Sequence, residues 1–202
     1  MALENIEGLY RLSPVQQGML FHTLAAPESG VYFEQFSLGY GDGFDPDAFT
    51  SAWQRVVDRH PMLRTSFLWE DLEEPVQVVH RQVELPVDRQ DWRGLSPGEQ
   101  QERLRAFLAA DRRSGFDLTR PPLLRLGLIR TGEQEHRVVW GYHHLLLDGW
   151  SAGLVMREVS ALYREETGGE AARLERRRPY KDYVDWLLGQ DLAAAEAYWR
   201  RT

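Results

Sequence analysis

The 202 residues contain no cysteine, which removes disulfides, thiolate nucleophiles and cysteine-bound metals from consideration. Lysine is almost as scarce: Lys181 is the only one, so arginine carries the basic charge and a catalytic lysine is nearly excluded. No apolar run approaches the roughly 18 residues that would suggest a membrane span, and no charged start leads into an apolar signal core. A basic excess is missing too. The 24 Lys and Arg stand against 31 Asp and Glu, a net charge of −7, which is the wrong sign for a nucleic-acid footprint. The charges are scattered rather than blocked, and neither an internal repeat nor a low-complexity linker interrupts the chain. What is present is an ordinary globular composition, 43% apolar and 27% charged, long enough for one domain with a substantial core. The chain reads as soluble and cytoplasmic, with no nucleic acid and no membrane among its partners.

Helices and strands alternate in the pattern. In "LSPVQQGMLFHTL", Ser13, Pro14 and Gln16 supply an N-cap, a first-turn proline and a capping-box glutamine, which predicts a helix from about Pro14 to Leu24 with Val15, Met19 and Thr23 at helical spacing. "VYFEQFSLGY" reads as a strand. "DPDAFTSAWQRVVDRH" is an Asp-capped helix whose apolar face is Phe49, Ala52, Trp53, Val56 and Val57. "MLRTSFLWE" and "PVQVVHRQ" are strands across an acidic turn. A second capping box, Ser96 with Glu99, opens a helix that buries Leu104, Phe107 and Leu108. "PLLRLGLIR" and "HRVVWGYHHLLL" are the most strand-like runs. Two helices follow, roughly Ser151 to Glu166 and Tyr180 to Arg200. The interleaving predicts an α/β sandwich with helices against a sheet. "AAAEAYWRRT" shows no stop signal, which creates the expectation that the fold continues past Thr202.

The chemistry concentrates in "WGYHHLLLDGWS", Trp140 to Ser151. Successive strand side chains point to opposite faces, so His143 and His144 cannot both face one pocket. One is expected in the core and the other at a cleft. A neutral imidazole beside the amides of the turn and first helical turn is suited to relay an amine or hydroxyl proton. The bland alternative has two histidines satisfying buried carbonyls and Asp148 capping the next helix. A metal site is disfavoured because adjacent strand histidines diverge. A His-x4-Asp acyltransferase signature fits His143 and Asp148 as well, but neither the membrane span nor the later motif that accompanies it is present.

Four stretches in order, "RLSPVQQGMLFHTL", "RHPMLRTSF", "HHLLLDGWS" and "YKDYVDW", resemble the first four core motifs of the condensation domains of nonribosomal peptide synthetases. Departures are small: Pro61 stands where a glutamate is common, and Val15 where many members have a small residue. Heterocyclization relatives lack the histidine pair. Epimerization domains share it but open differently. The resemblance implies a chloramphenicol-acetyltransferase-like α/β sandwich of two lobes, with residues 1–202 forming the N-terminal lobe and the C-terminal lobe absent. It implies amide formation between a carrier-bound acyl or peptidyl thioester and the amine of a carrier-bound aminoacyl acceptor, an acyltransferase activity. The partners implied are upstream and downstream peptidyl carrier domains, the second lobe and an adenylation domain. No cofactor is bound directly; phosphopantetheine arms come with the carriers. A related small-molecule acyltransferase, an epimerization domain, or a non-catalytic module that only touches a carrier protein are the alternatives.

By that resemblance His144 is the catalytic residue and His143 supports it from the opposite face. Asp148 turns from the channel to pair with Arg64 in a buried ion pair, and Gly149 allows close backbone approach with its N–H toward the reacting carbonyl. Gln17, Trp140 and Trp150 are candidates for channel lining, Trp140 and Trp150 equally for core. Tyr10 and Gln16 are assigned to packing and channel wall. Ser151, with no base placed for it, reads as a helix cap rather than a nucleophile. Tyr183 and Trp186 are expected to face inward from "YKDYVDW".

Overall fold

A computed structural model describes residues 3–201 of the chain; Thr202, past which the last helix is expected to continue, lies outside them. The elements run β1 Ile6–Arg11, α1 Pro14–Ala25, β2 Phe33–Tyr40, α2 Pro46–Arg59, β3 Thr65–Leu68, β4 Val76–His80, β5 Val87–Asp91, α3 Pro97–Ser114, β6 Leu124–Arg130, β7 His136–His143, α4 Gly149–Glu166, α5 Tyr180–Leu188 and α6 Leu192–Trp199. The result is the mixed α/β architecture expected from the interleaving.

Two sheets organise these elements. The larger has the order β2-β7-β6-β5, antiparallel except for the β5–β6 pair, and the smaller is β1-β4-β3. Strand alternation divides the large sheet into two faces. Leu126, Leu128, Val138, Trp140 and Tyr142 join the apolar faces of α2 and α4 in the main core. Ile129 and Val139 face the other way, with Trp92, and take Leu104, Phe107 and Leu108 of α3. Gly127 permits that approach, since a Cβ there would sit 2.9 Å from the Phe107 ring. Trp53 and Trp140 meet at 4.9 Å between ring centroids where α2 crosses the sheet. Burial of two such rings contributes several kcal/mol, roughly 2–3 each.

Capping determines where the helices begin. Ser13 and Gln16 form the reciprocal box at α1, and Ser96 with Glu99 does the same at α3. The buried face of α1 is Gln16 and Leu20, with Val15 exposed, so the helix is rotated from the expected Val15–Met19–Thr23 face. The expected single helix from Tyr180 to Arg200 is two. Gly189 is a poor helix former, and two residues later the Asp191 carboxylate accepts the Ala194 amide and starts α6. Within α5 the buried residue is Val184, packed with Tyr10, Val79 and Tyr180 on the small sheet. Tyr183 and Trp186 are exposed, correcting the inward placement. No helix among the described residues is long and apolar enough to cross a membrane.

Candidate active site

The histidine pair sits where β7 ends, and each ring is held in a different tautomer. His143 is buried, 3% exposed. Its Nδ1 accepts from the Leu145 amide at 3.1 Å and therefore carries a lone pair. Its Nε2 lies 3.3 Å from Thr23 Oγ1, and that hydroxyl spends its proton on the Met19 carbonyl at 2.8 Å, so Nε2–H is the donor. Burial, then the neighbouring His144, pushes the His143 pKa down to about 4. The ring is therefore neutral at neutral pH.

His144 has the opposite arrangement. Its Nδ1 is 2.6 Å from the Leu147 carbonyl, an oxygen that can only accept, so Nδ1 holds a proton and the neutral ring has its lone pair on Nε2. The backbone amide of His144 donates to the Tyr32 carbonyl at 2.8 Å. Tyr32 is in the left-handed region at φ +63°, and its ring lies 6.4 Å and 6.2 Å from those of His143 and His144. A non-glycine residue there carries about 1–2 kcal/mol of backbone strain, here beside both histidines.

His144 lines a cavity of about 620 Å³, together with Ser13, Gln16, His60, Asp148 and Tyr180. Four stretches distant in sequence form it, within 13–19, 60–63, 144–158 and 177–183. The Gln16 side chain ties two of them to β4: Nε2 donates to the Leu145 carbonyl at 3.1 Å, and Oε1 accepts from Gln77 Nε2 at 3.0 Å and from the Ser13 amide at 3.1 Å. The Tyr180 hydroxyl donates to Ser13 Oγ at 3.1 Å and brings in α5. Of the two adjacent glutamines, Gln16 is on the cavity wall and Gln17 is exposed away from it, which reverses the assignment of Gln17 to the channel.

Several other expectations are corrected. Trp140 is core, 4% exposed and packed on Trp53 and Tyr142, because it shares the α2/α4 face of β7. Trp150 is 87% exposed at the start of α4, so it is not core, and it does not line the cavity. The buried Arg64–Asp148 pair is not formed. Arg64 is buried but donates from Nε to the Val57 carbonyl at 3.2 Å and from Nη1 to Glu7 at 2.7 Å and to the His80 carbonyl. Asp148 instead caps α4, its Oδ1 accepting from the Ser151 amide at 2.8 Å. That bond, then the neighbouring His144, holds its carboxyl below the usual range. Ser151 is thus the capped residue, not the cap, and it lines the cavity. A Cβ on Gly149 would meet nothing within 4 Å, so packing within this chain does not demand glycine there.

The motifs give no hint of Glu158. It lies on the buried face of α4 with Val155, Val159 and Leu162, 5% exposed. Its carboxylate meets His60 Nε2 at 2.7 Å, Arg59 Nε at 3.1 Å and Arg177 Nε at 3.6 Å. A lone acid at an apolar helical position was the available signal. Among the described residues, no cluster of three or more His, Cys, Asp or Glu could hold a metal ion.

Comparison with known proteins decides the family. The model described as Condensation domain matches residues 6–202. This chain belongs to the condensation-domain family. Among curated relatives, it is 46% identical over 195 residues to a linear gramicidin synthase of Brevibacillus parabrevis, covering 96% of this chain and 4% of that protein. It is 40% identical over 195 residues to bacitracin synthase 3 of Bacillus licheniformis, covering 96% and 3%. Among solved structures, the starter condensation domain of rhizomide synthetase RzmA superposes with a TM-score of 0.82 at 22% identity, over 96% of this chain and 48% of that one. The EpoB cyclization-docking bidomain from Sorangium cellulosum gives 0.77 at 23%, over 96% and 38%. The chain thus spans a few per cent of these synthetases and about half of the solved domain. Its α/β sandwich is the chloramphenicol-acetyltransferase-like fold of that family.

Proposed function

We propose that this condensation-domain chain is the N-terminal, histidine-bearing lobe of a nonribosomal peptide synthetase condensation domain, and that His144 Nε2 is the proton acceptor of amide formation. The observation that carries this is the locked ring: Nδ1 is bonded to the Leu147 carbonyl, and His144 lines the cavity. In the reaction, the free amine of an aminoacyl group on one carrier attacks the thioester carbonyl carried by another. The C–N bond forms, an amine proton passes to His144 Nε2, the C–S bond breaks, and the same proton leaves with the departing thiol. Phosphopantetheine arms bring both reactants, and their convergence in one cavity supplies effective concentration. The Ser151 amide is taken by Asp148, so the amides left for the oxyanion that develops are those of Gly149 and Trp150, ahead of it in the first turn of α4. Asp148 contributes by fixing the start of α4, His143 by holding the turn through the Leu145 amide.

The partners in this reading are the two carrier domains, an adjoining adenylation domain and a second lobe. Exposed apolar side chains support the second lobe: Val15, Phe21 and Trp150 are all more than half exposed. The isolated chain supplies one wall and transfers nothing by itself.

The test is dipeptide formation between two loaded carriers, read by intact-protein mass spectrometry. Within the synthetase module that contains this chain, His144→Ala is expected to lower transfer by about 10²–10⁴-fold, while the folded 202-residue chain alone is silent. Undiminished transfer by the His144→Ala module would overturn the catalytic assignment. Transfer by the isolated chain would overturn the need for a second lobe.

A further inference from the structure

Beside the catalytic cavity lies a second groove, of about 310 Å³, lined by Arg59, His60, Leu174, Arg176, Arg177 and Arg178. The two spaces share His60, Pro61, Arg177, Arg178 and Pro179 as a common wall. In a chain of net charge −7, four guanidiniums facing one groove run against the overall field. Two of them are accounted for. Glu158 takes Arg59 at 3.1 Å and Arg177 at 3.6 Å, and Glu175 takes Arg177 again at 2.9 Å. Arg176 and Arg178 have no carboxylate in ion-pair distance among the described residues, so the groove holds two more guanidiniums than it holds carboxylates to neutralise them.

The strap that presents them is fixed. Arg59 Nη2 donates to the Glu175 carbonyl at 2.6 Å, Leu174 and Ala172 pack on the main core, and Pro179 leads directly into α5. A pinned backbone lowers the ordering cost of binding, and the planar guanidinium fork matches phosphate oxygens.

We propose that this groove binds the phosphate of the phosphopantetheine arm, with Arg176 and Arg178 as the contacting residues. The inference rests on the carrier-dependent reading of the cavity. A ligand suited to both spaces has an anion at one end of a neutral, flexible chain and a reactive carbonyl at the other. On a carrier that anion is a phosphodiester of single charge, and the thioester end passes the shared wall into the cavity that His144 lines.

The experiment measures binding of 4′-phosphopantetheine, pantetheine and inorganic phosphate to the 202-residue chain, with folding checked by circular dichroism. Phosphopantetheine is expected to bind at least about tenfold more tightly than pantetheine, the yield of one or two charge-assisted hydrogen bonds. That preference is expected to vanish in R176A/R178A and in the charge reversal R178E. Both positions are exposed, so these variants fold. Equal binding of the two pantetheines, an unchanged preference in both variants, or no binding at all overturns the proposal. Competition by inorganic phosphate at equal concentration also overturns it, because the groove would then be a bare anion site. His144→Ala leaves the preference unchanged. A module that keeps transferring with His144→Ala while retaining the phosphate preference would therefore sink the catalytic reading and leave this one standing.

Discussion

Acid should destabilise this protein through His143 in a way that can be isolated. Protonating Nδ1 turns the acceptor of the Leu145 amide into a second donor and places a charge on a ring that is 3% exposed. The folded-state pKa falls from the ordinary 6.5 to about 4. Between those values the unfolded chain binds the proton and the folded chain does not, so stability rises with pH across the window. His143's contribution is fully present above pH 6.5, is lost as pH falls toward 4, and changes no further below that. A shift of this size is worth about 3 kcal/mol. Burial is nearly complete, so solvent screening takes little from it. The assay is urea unfolding from pH 7.5 to pH 4 for the natural chain and His143→Asn, whose Oδ1 can accept the Leu145 amide without ionising. His80 and His136, whose pKa values burial also lowers, are present in both chains and cancel. The natural chain should lose about 3 kcal/mol more than the variant across the window. Parallel pH profiles, or a folded ring that titrates near 6.5 by nuclear magnetic resonance, would refute the reasoning.

Three further perturbations separate structure from coincidence. Arg64→Met leaves the Val57, His80 and Arg81 carbonyls without their donor and should cost about 3–5 kcal/mol in chemical denaturation; a double-mutant cycle with Asp148→Asn should show no coupling, and coupling above about 1 kcal/mol would restore the discarded pair. Glu158→Gln removes the charge shared by Arg59, His60 and Arg177; because those partners are 32%, 21% and 39% exposed, solvent screens the pairs and the cost should be about 2 kcal/mol, below that of a fully buried pair. Trypsin should then cut the 173–178 strap faster, and an unchanged cleavage rate would count against the clamp. Tyr32→Gly and Tyr32→Ala both lose the ring, but only glycine relieves φ +63°, so the glycine variant should be the more stable by about 1 kcal/mol.

Helices were legible wherever a cap preceded an apolar face, as at Ser13, Asp45 and Ser96, because a cap is a local hydrogen bond written in adjacent residues. Strands β1 and β5 were not. "IEGLYR" and "VDRQD" lack alternation of apolar residues, and each is an edge strand defined by its one neighbour rather than by its own pattern. Parity separated the two histidines, His144 sharing the face of Trp140 and Tyr142 and His143 not, but it was the family resemblance that chose His144. That same parity should have assigned Trp140 to the core, but tryptophan suits a channel wall and a core equally. The fate of Arg64 was hidden for another reason. Its partners are mostly backbone carbonyls from β4 and α2, and no side-chain pairing rule reports a carbonyl. The Gln16–Gln77–Leu145 bridge is likewise a tertiary product, invisible until two sheets are placed side by side.

The bonds that close the cavity join residues far apart in synthesis. Gln16 waits 129 residues for the Leu145 carbonyl, and Ser13 waits 167 for the Tyr180 hydroxyl. At 5–20 residues per second, a ribosome leaves Ser13 without that partner for roughly 8–30 s. A segment near residue 13 is therefore completed by one made 167 residues later, and the wall around His144 closes only after both histidines have been made. A nascent chain halted before Tyr180 carries both histidines and all of α4, yet has no closed cavity to put them to use.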